Sequence, residues 1–521
     1  MPGKGLEKGG EFRLRLRLCR DKLRRGQGAN LYLAQRLGKI QEVFMSEKFD
    51  LYCNPAPLPE LPLGMFRRYP GRGSAGYTAG ECDFREVADP EVLFFEGKYY
   101  MYCSCRQVYV SDDLIHWQYC PIQIDYPLGY APAVTRCGKN IYLTSSREFN
   151  DPLAGRIFQA EHPLGPFRTV GEVRDKAGQL IKEFLDPALF ADDDGRLYLY
   201  WGYAPLGGGI FGMEVDPERP NCGISDIVKL FDLDGDNEWE RFGEHGEVLD
   251  FGWTEGASMY KHNGVYYLQY AACGTRFPNY SIGVYMLGAP LQKPQKKAVK
   301  LCGSRHGIVC GTGHGGMFSG PDGTVWQAYS VLVHRKHFFE RRVGIDPVTF
   351  DENGVPHVDI SNAPRPVAGG DGGLVNAAAW KNCTVSSYCF NSQSMYAVDE
   401  MPHTAWVPDI NDAEPFIEVD LEREFTVEAL RIVWSEENLN IAVGNAPRPV
   451  KYRVEFLDKD KSILPFVLDQ SGNEVDLVVD FRQVRVPLCR YVRLVILRGG
   501  SSMHYGVSDL AVFVKPQRIF S

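Results

Sequence analysis

The chain has 521 residues, 44% of them apolar and 24% charged, enough for more than one core and typical of a globular protein. A net charge of -9 disfavours a nucleic-acid partner, because a phosphate-binding surface needs a basic excess. No run of about 18 apolar residues occurs, so no membrane partner is expected either.

Residues 1–45 stand apart as a basic N-terminal extension. Arg13-Leu-Arg-Leu-Arg-Leu-Cys-Arg-Asp-Lys-Leu-Arg-Arg has no strand or turn pattern around it, and such a charge block is more often solvated than a binding arm. No apolar segment of secretory type accompanies it. The 14 cysteines are scattered and contain no C-x-x-C pair, so free thiols, no zinc site and a cytoplasmic location are the expectation.

Residues 46–365 carry a phrase repeated five times, a turn glycine followed by an aromatic-rich strand. The strands are Gly97-Lys-Tyr-Tyr-Met-Tyr, Gly138-Lys-Asn-Ile-Tyr-Leu, Gly195-Arg-Leu-Tyr-Leu-Tyr, Gly264-Val-Tyr-Tyr-Leu-Gln-Tyr and Gly323-Thr-Val-Trp-Gln-Ala-Tyr. Glycine spacings of 41, 57, 69 and 59 residues suit four-stranded propeller blades with insertions. Eight or nine positions before each glycine stand Asp89, Tyr130, Asp186, Glu255 and His314. In a propeller, equivalent positions at the starts of the inner strands converge at one end of the axis. The expected fold is therefore all-β, a five-bladed propeller with a site on its axis.

A glycine-rich seam, Gly369-Gly370-Asp371-Gly372-Gly373, falls in a linker at 366–374. Beyond it, in 375–521, Phe416-Ile-Glu-Val-Asp-Leu, Ala429-Leu-Arg-Ile-Val-Trp, Tyr452-Arg-Val-Glu-Phe-Leu and Tyr491-Val-Arg-Leu-Val-Ile alternate apolar and polar residues. That period of two predicts a second, β-sandwich domain.

Asp89 and Asp186 each precede a proline, and Glu255 precedes a glycine. A lone Asp-Pro more often just opens a turn. Three acids in register are harder to dismiss: clustered carboxylates repel, one pKa rises, and a neutral acid beside an ionised base is what glycoside hydrolysis needs.

Taken together, Ala88-Asp-Pro-Glu-Val, Ser111-Asp-Asp-Leu-Ile-His-Trp, Tyr130-Ala-Pro-Ala-Val, Leu185-Asp-Pro-Ala-Leu-Phe-Ala-Asp-Asp-Asp-Gly-Arg, Thr254-Glu-Gly-Ala and Gly311-Thr-Gly-His-Gly resemble glycoside hydrolase family 43 over residues 80–358. The resemblance implies a five-bladed propeller in which Asp89 is the general base, Glu255 the general acid and Asp186 the group that holds Glu255 and raises its pKa. It implies inversion, with base and acid roughly 6.5–9.5 Å apart. His314 matches a position near the axis where members often carry a calcium ion through its water shell. A nitrogen is a poor direct ligand for Ca²⁺, and a histidine packed in the inner strand is the other reading; no cofactor is required for the chemistry. Tyr130 replaces the tryptophan of many members and keeps an aromatic face for sugar. Trp253 walls the subsite beside Glu255 or packs in the core. Of Arg341 and Arg342, Arg341 is the expected one to reach substrate or acid, and Phe277-Pro-Asn-Tyr borders the pocket or is an ordinary loop.

The C-terminal pattern, with Ala397-Val-Asp-Glu-Met-Pro-His-Thr-Ala-Trp, resembles a discoidin-like (factor 5/8 type C) sandwich, also used as a carbohydrate-binding module. Trp406 is expected in its core, and Asp399 in a turn or beside a structural calcium. The function implied is exo-hydrolysis of terminal α-L-arabinofuranosyl or β-D-xylosyl units from an oligosaccharide or polysaccharide. The alternatives are a β-D-galactofuranosidase or β-1,3-galactosidase of the same family, a retaining fructosidase-type hydrolase, and a propeller that binds glycans without cleaving them.

Overall fold

A computed structural model describes residues 51–64, 83–105, 107–124, 126, 128–146, 155–182, 184–304, 307–369, 373–497 and 502–516. The basic extension and residues 370–372 of the glycine-rich seam lie outside them.

Five antiparallel sheets follow one another along the chain, and each begins with an inner strand: Glu91–Phe95, Ala133–Cys137, Ala188–Ala191, Thr254–His262 and Met317–Ser319. Within each sheet successive strands pair side by side, with Val228–Phe231 added as a fifth strand to the third. Each inner strand neighbours the next, and the fifth neighbours the first, so the sheets close into a five-bladed propeller. The five repeat glycines make the turn from inner to second strand, with φ between 58° and 84° and open space where a Cβ would stand. The aromatic strands that follow are buried on both faces: Lys98–Cys103 and Val325–Leu332 read as apolar runs because neighbouring blades sandwich them.

The ring is fastened by its own start. Leu51–Tyr52 pairs with Arg365–Pro366, and the Tyr52 hydroxyl donates to Asp346 at 2.6 Å. The buried Asn54 amide donates to the Ile345 carbonyl at 2.8 Å and to Ser361 at 2.9 Å, while its oxygen accepts from the Ile345 N–H at 3.0 Å. One side chain thus supplies both bonds of a missing strand partner.

The C-terminal strands run from Val375–Asn376 to Tyr505–Val514 and are all antiparallel. Phe416–Glu436 and Val479–Ile496 pair along their length with register shifts between Asp420 and Ala429. Such irregularities let a strand bend from one layer of a sandwich into the other. Trp406 lies fully buried in this core with Ile417, Val454 and Leu494. Asp399 caps a turn, accepting from the Met401 N–H at 3.0 Å and from the Thr404 hydroxyl at 2.9 Å. The 12 described cysteines are all free.

Sandwich and propeller share their packing. Val478 belongs to the apolar cluster of blades one and five, and Val433 and Val479 to that of blades four and five. Buried Arg85 donates Nε and Nη2 to Glu436 at 2.9 and 2.8 Å, and both Nη atoms to Asp476. Arg431 of the sandwich, paired with Asp509 at 2.8 Å, donates to the carbonyls of Asn54 and Asn362.

Candidate active site

Each blade enters the axis through a residue in the left-handed region: Asp89 (φ 53°), Ala131 (51°), Asp186 (47°), Gly256 (65°) and His314 (45°). That turn reverses the chain just before the inner strand and aims the side chains at or just before it toward one end of the axis. Tyr130 and Glu255 are one residue upstream of the equivalents of Asp89, Asp186 and His314. The sequence register was therefore one position off in blades two and four. Blade four needs glycine at 256, where a Cβ would come within 2.8–2.9 Å of the His314 ring.

Asp89, buried to 4% exposure, accepts from the Ser104 hydroxyl at 2.6 Å and from Arg341 Nη1 at 2.8 Å. His314 Nδ1 lies 3.6 Å from Asp89 and 3.8 Å from Asp186. Asp186 accepts from the Ser146 hydroxyl at 2.6 Å, while its own N–H donates to that oxygen at 2.7 Å. Glu255 accepts from the Trp253 indole at 2.6 Å and from the Tyr280 hydroxyl at 3.0 Å. One ligand atom each from Asp186, Glu255 and His314 lie within 4.8 Å of one another.

These surroundings drive the carboxyl groups apart. Burial opposes charge on Asp89, but Arg341, His314 and the Ser104 and Ser330 hydroxyls outweigh it and hold its pKa below the ordinary value. Glu255 is pushed up to about 7, first by burial and then by the Asp186 charge. Asp186 also rises to about 7, by burial and by Asp89, against the Ser146 bond. Asp186 and Glu255 repel, so they share protons and the first to ionise keeps the other neutral.

Arg341 is the arginine at the centre, while Arg342 turns away to the backbone carbonyls of Arg85 and Arg341. Arg341 also forks onto Glu86 Oε1 through Nε at 3.0 Å and Nη2 at 2.7 Å, and reaches the Thr275 hydroxyl at 3.1 Å. Tyr130 donates to Glu86 at 2.6 Å, and its ring lies 5.6 Å from that of Phe339. Trp253 stacks on Tyr203 at 4.9 Å besides holding Glu255. The Phe277-Pro-Asn-Tyr segment enters through Tyr280.

Sequence reasoning missed Glu86, Ser104, Ser146, Thr275 and Ser330. Glu86 lies outside the repeat, three residues before Asp89; an acid beside Arg85 is by itself an ordinary surface pair. Ser104 and Ser330 each stand seven residues after their turn glycines, Gly97 and Gly323, with Ser146 eight after Gly138, and that recurrence was available.

As direct ligands for calcium these donors fit poorly. Asp186, Glu255 and His314 bring two carboxylates and an imidazole, fewer oxygens than the six to eight Ca²⁺ takes, and Arg341 already neutralises Asp89.

A β-D-galactofuranosidase of Aspergillus niger is 24% identical over 299 residues, covering 51% of this chain and 80% of its own. A xylosidase/arabinosidase of Butyrivibrio fibrisolvens is 27% identical over 215 residues, 36% of this chain and 37% of its own, so little more than a third of that relative is spanned. Among solved structures, a glycoside hydrolase is 17% identical with a TM-score of 0.46, covering 82% of this chain and 97% of its own. A thermostable family-43 glycoside hydrolase is 23% identical with a TM-score of 0.44, covering 60% and 98%. The model of glycosyl hydrolases family 43 matches residues 85–356, from the residue before Glu86 to the start of the last strand of blade five, and with more than half its length so matched the chain belongs to that family of glycoside hydrolases.

Proposed function

We propose that the enzyme is an inverting exo-glycosidase that removes terminal α-L-arabinofuranosyl or β-D-xylosyl units from oligosaccharides. The observation that carries this reading is the contrast between two carboxyls of the site: Asp89 is bonded by Arg341 and Ser104, which favour its charge, whereas burial and the nearby Asp186 push the proton loss of Glu255 up to about 7. Asp89 takes a proton from water as the water oxygen bonds to the anomeric carbon. The bond from that carbon to the leaving oxygen breaks, and Glu255 delivers its proton there. Asp186 keeps Glu255 protonated, and Trp253 and Tyr280 aim its two oxygens. Arg341 keeps Asp89 charged and, with the ring of Tyr130, walls the sugar-binding end. This scheme uses no cofactor. Exo action and the sugar rest on the family resemblance and on the xylosidase/arabinosidase relative.

A second reading is favoured by one observation: the Aspergillus relative, matched over 80% of its length, is a β-D-galactofuranosidase. The carboxylate chemistry is unchanged, because sugar choice lies in the loops around it. For the sandwich we propose a discoidin-like, carbohydrate-binding role. Its support is the strand pattern and the exposed rings of Trp380, Tyr388 and Phe390.

The test is a panel of aryl α-L-arabinofuranoside, β-D-xyloside, β-D-galactofuranoside and β-D-galactoside, assayed with intact protein and with Glu255→Ala. One sugar should be released, and the variant should lose about 10²–10⁴-fold in kcat, least when the leaving group needs little protonation. An equal loss for good and poor leaving groups counts against Glu255 as the acid. Product of retained anomeric configuration by NMR counts against inversion.

A further inference from the structure

Arg276 is half-buried, with its guanidinium carbon 5.0 Å from the ring centroid of Phe242, 5.9 Å from Phe277 and 5.6 Å from Phe338. Among the described residues it has no ion pair and no hydrogen bond, and none of its nitrogens is sealed from solvent. Burial lowers its pKa, with no acidic neighbour acting against that. Arg85, Arg341 and Arg431, by contrast, are each buried against carboxylates.

Three loops that reach the active site meet at this arginine. Thr275, its neighbour, accepts a hydrogen bond from Arg341, and Tyr280, four residues on, donates to Glu255. Phe338 precedes Phe339, whose ring lies 5.6 Å from Tyr130 and 5.2 Å from the Arg341 guanidinium. Phe242 belongs to the hairpin of Arg241–Phe242 and Val248–Gly252, which leads directly into Trp253. Arg276 therefore stands where loops that border the active site meet, bonded to none of its carboxylates.

Stacking on aromatic rings uses the flat faces of a guanidinium and leaves the N–H edge free. That edge is a planar fork of donors matched to an oxyanion, and the group stays charged even when partly desolvated. An anionic sugar approaching Asp89, Asp186, Glu255 and Glu86 also needs a cation to offset their repulsion, and Arg341 is already committed. We propose that Arg276 recognises an anionic substituent of the sugar chain, a uronate carboxylate, next to the terminal unit removed. This rests on the glycosidase reading above. A sulfate ester offers the same oxyanion chemistry from a different source.

The experiment is titration calorimetry on full-length Glu255→Gln protein, which binds without turnover, and on the same protein carrying Arg276→Gln or Arg276→Lys. The ligands are xylotriose, glucuronic-acid-substituted xylotriose and sulfated xylotriose. The uronate ligand should bind about 10-fold more tightly than xylotriose, as one charge-assisted fork allows. Added salt should erode that advantage. Arg276→Gln should abolish it while leaving xylotriose affinity unchanged, and Arg276→Lys, a charge without the fork, should keep part of it. Equal weakening of neutral and acidic ligands by Arg276→Gln, or no acid preference at all, overturns the proposal. Tighter binding of the sulfated chain overturns the assignment to uronate. Turnover of xylotriose by unmutated protein without any acid preference removes only the role of Arg276. Failure to bind or cleave any of the three removes the underlying specificity as well.

Discussion

At the scale of the residue, two carboxylates a few side chains apart are tuned in opposite directions by their neighbours. Asp89 has a guanidinium, an imidazole and two hydroxyls turned toward it, whereas Glu255 has burial and a second carboxylate. In the proposed mechanism activity needs Asp89 ionised, so it should fall as pH drops through the lowered Asp89 value. The same mechanism needs Glu255 protonated, so activity should also fall as pH rises through about 7. Asp186→Asn removes the negative charge that helps keep Glu255 protonated. The alkaline limb of the kcat/KM profile should then move to lower pH, toward the ordinary range of a glutamic acid, while the acid limb moves less. An alkaline limb that stays in place in this variant would show that burial alone sets the acid. Glu86 acts one step further back: it is a buried counter-charge that fixes the Arg341 fork, which in turn holds Asp89.

At the scale of the element, inner-strand starts do the positioning, and this much is legible in the sequence. Asp-Pro at 89 and 186, Glu-Gly at 255 and Gly-His at 313 all sit a nearly constant distance before a turn glycine, because each blade repeats one hairpin. The one-residue offset of Tyr130 and Glu255 was not legible, since it depends on which residue takes the left-handed conformation, and in blades two and four that is Ala131 and Gly256. Thr275 was invisible for another reason: it lies in a loop whose length differs from blade to blade, so no spacing marks it, whereas Tyr280 lay in the Phe277-Pro-Asn-Tyr segment and Ser330 repeats the seven-residue spacing of Ser104 from its turn glycine. In the sandwich the period-2 pattern located the long strands, and the discoidin-like resemblance put Trp406 in the core, but a binding surface leaves no such period. Its candidates are the rings the fold leaves outside, Trp380 at 61% and Phe390 at 91% exposure. Replacing both with alanine should reduce retention in affinity gels cast with arabinoxylan, each lost stacking contact weakening binding, and leave aryl-glycoside kcat unchanged. Unaltered retention on every polysaccharide tried would remove these rings from any glycan-binding role.

At the scale of the molecule, propeller and sandwich are knit by shared apolar clusters and by fully buried ion pairs, and residues 50–521 form one compact unit. Glu436→Gln leaves Arg85 with Asp476 as its remaining counter-charge, so the loss should stay below about 3–5 kcal/mol, the cost of a buried ion left with no partner. Urea unfolding should remain a single transition, with its midpoint lowered by that loss divided by the m-value. Two separated transitions, in the native protein or in the variant, would show that the domains fold independently. The Asn54 clasp carries a consequence for synthesis. Its side-chain partners lie 275–307 residues downstream, and Arg431, which grips its carbonyl, lies 377 downstream. At the ~5–20 residues per second of translation, the Asn54 segment waits roughly 15–75 s on the ribosome before its binding partners exist. During that interval four blades have emerged with the ring still open, so the apolar face of the first blade that will pack against the fifth is the part of the molecule most in need of a chaperone.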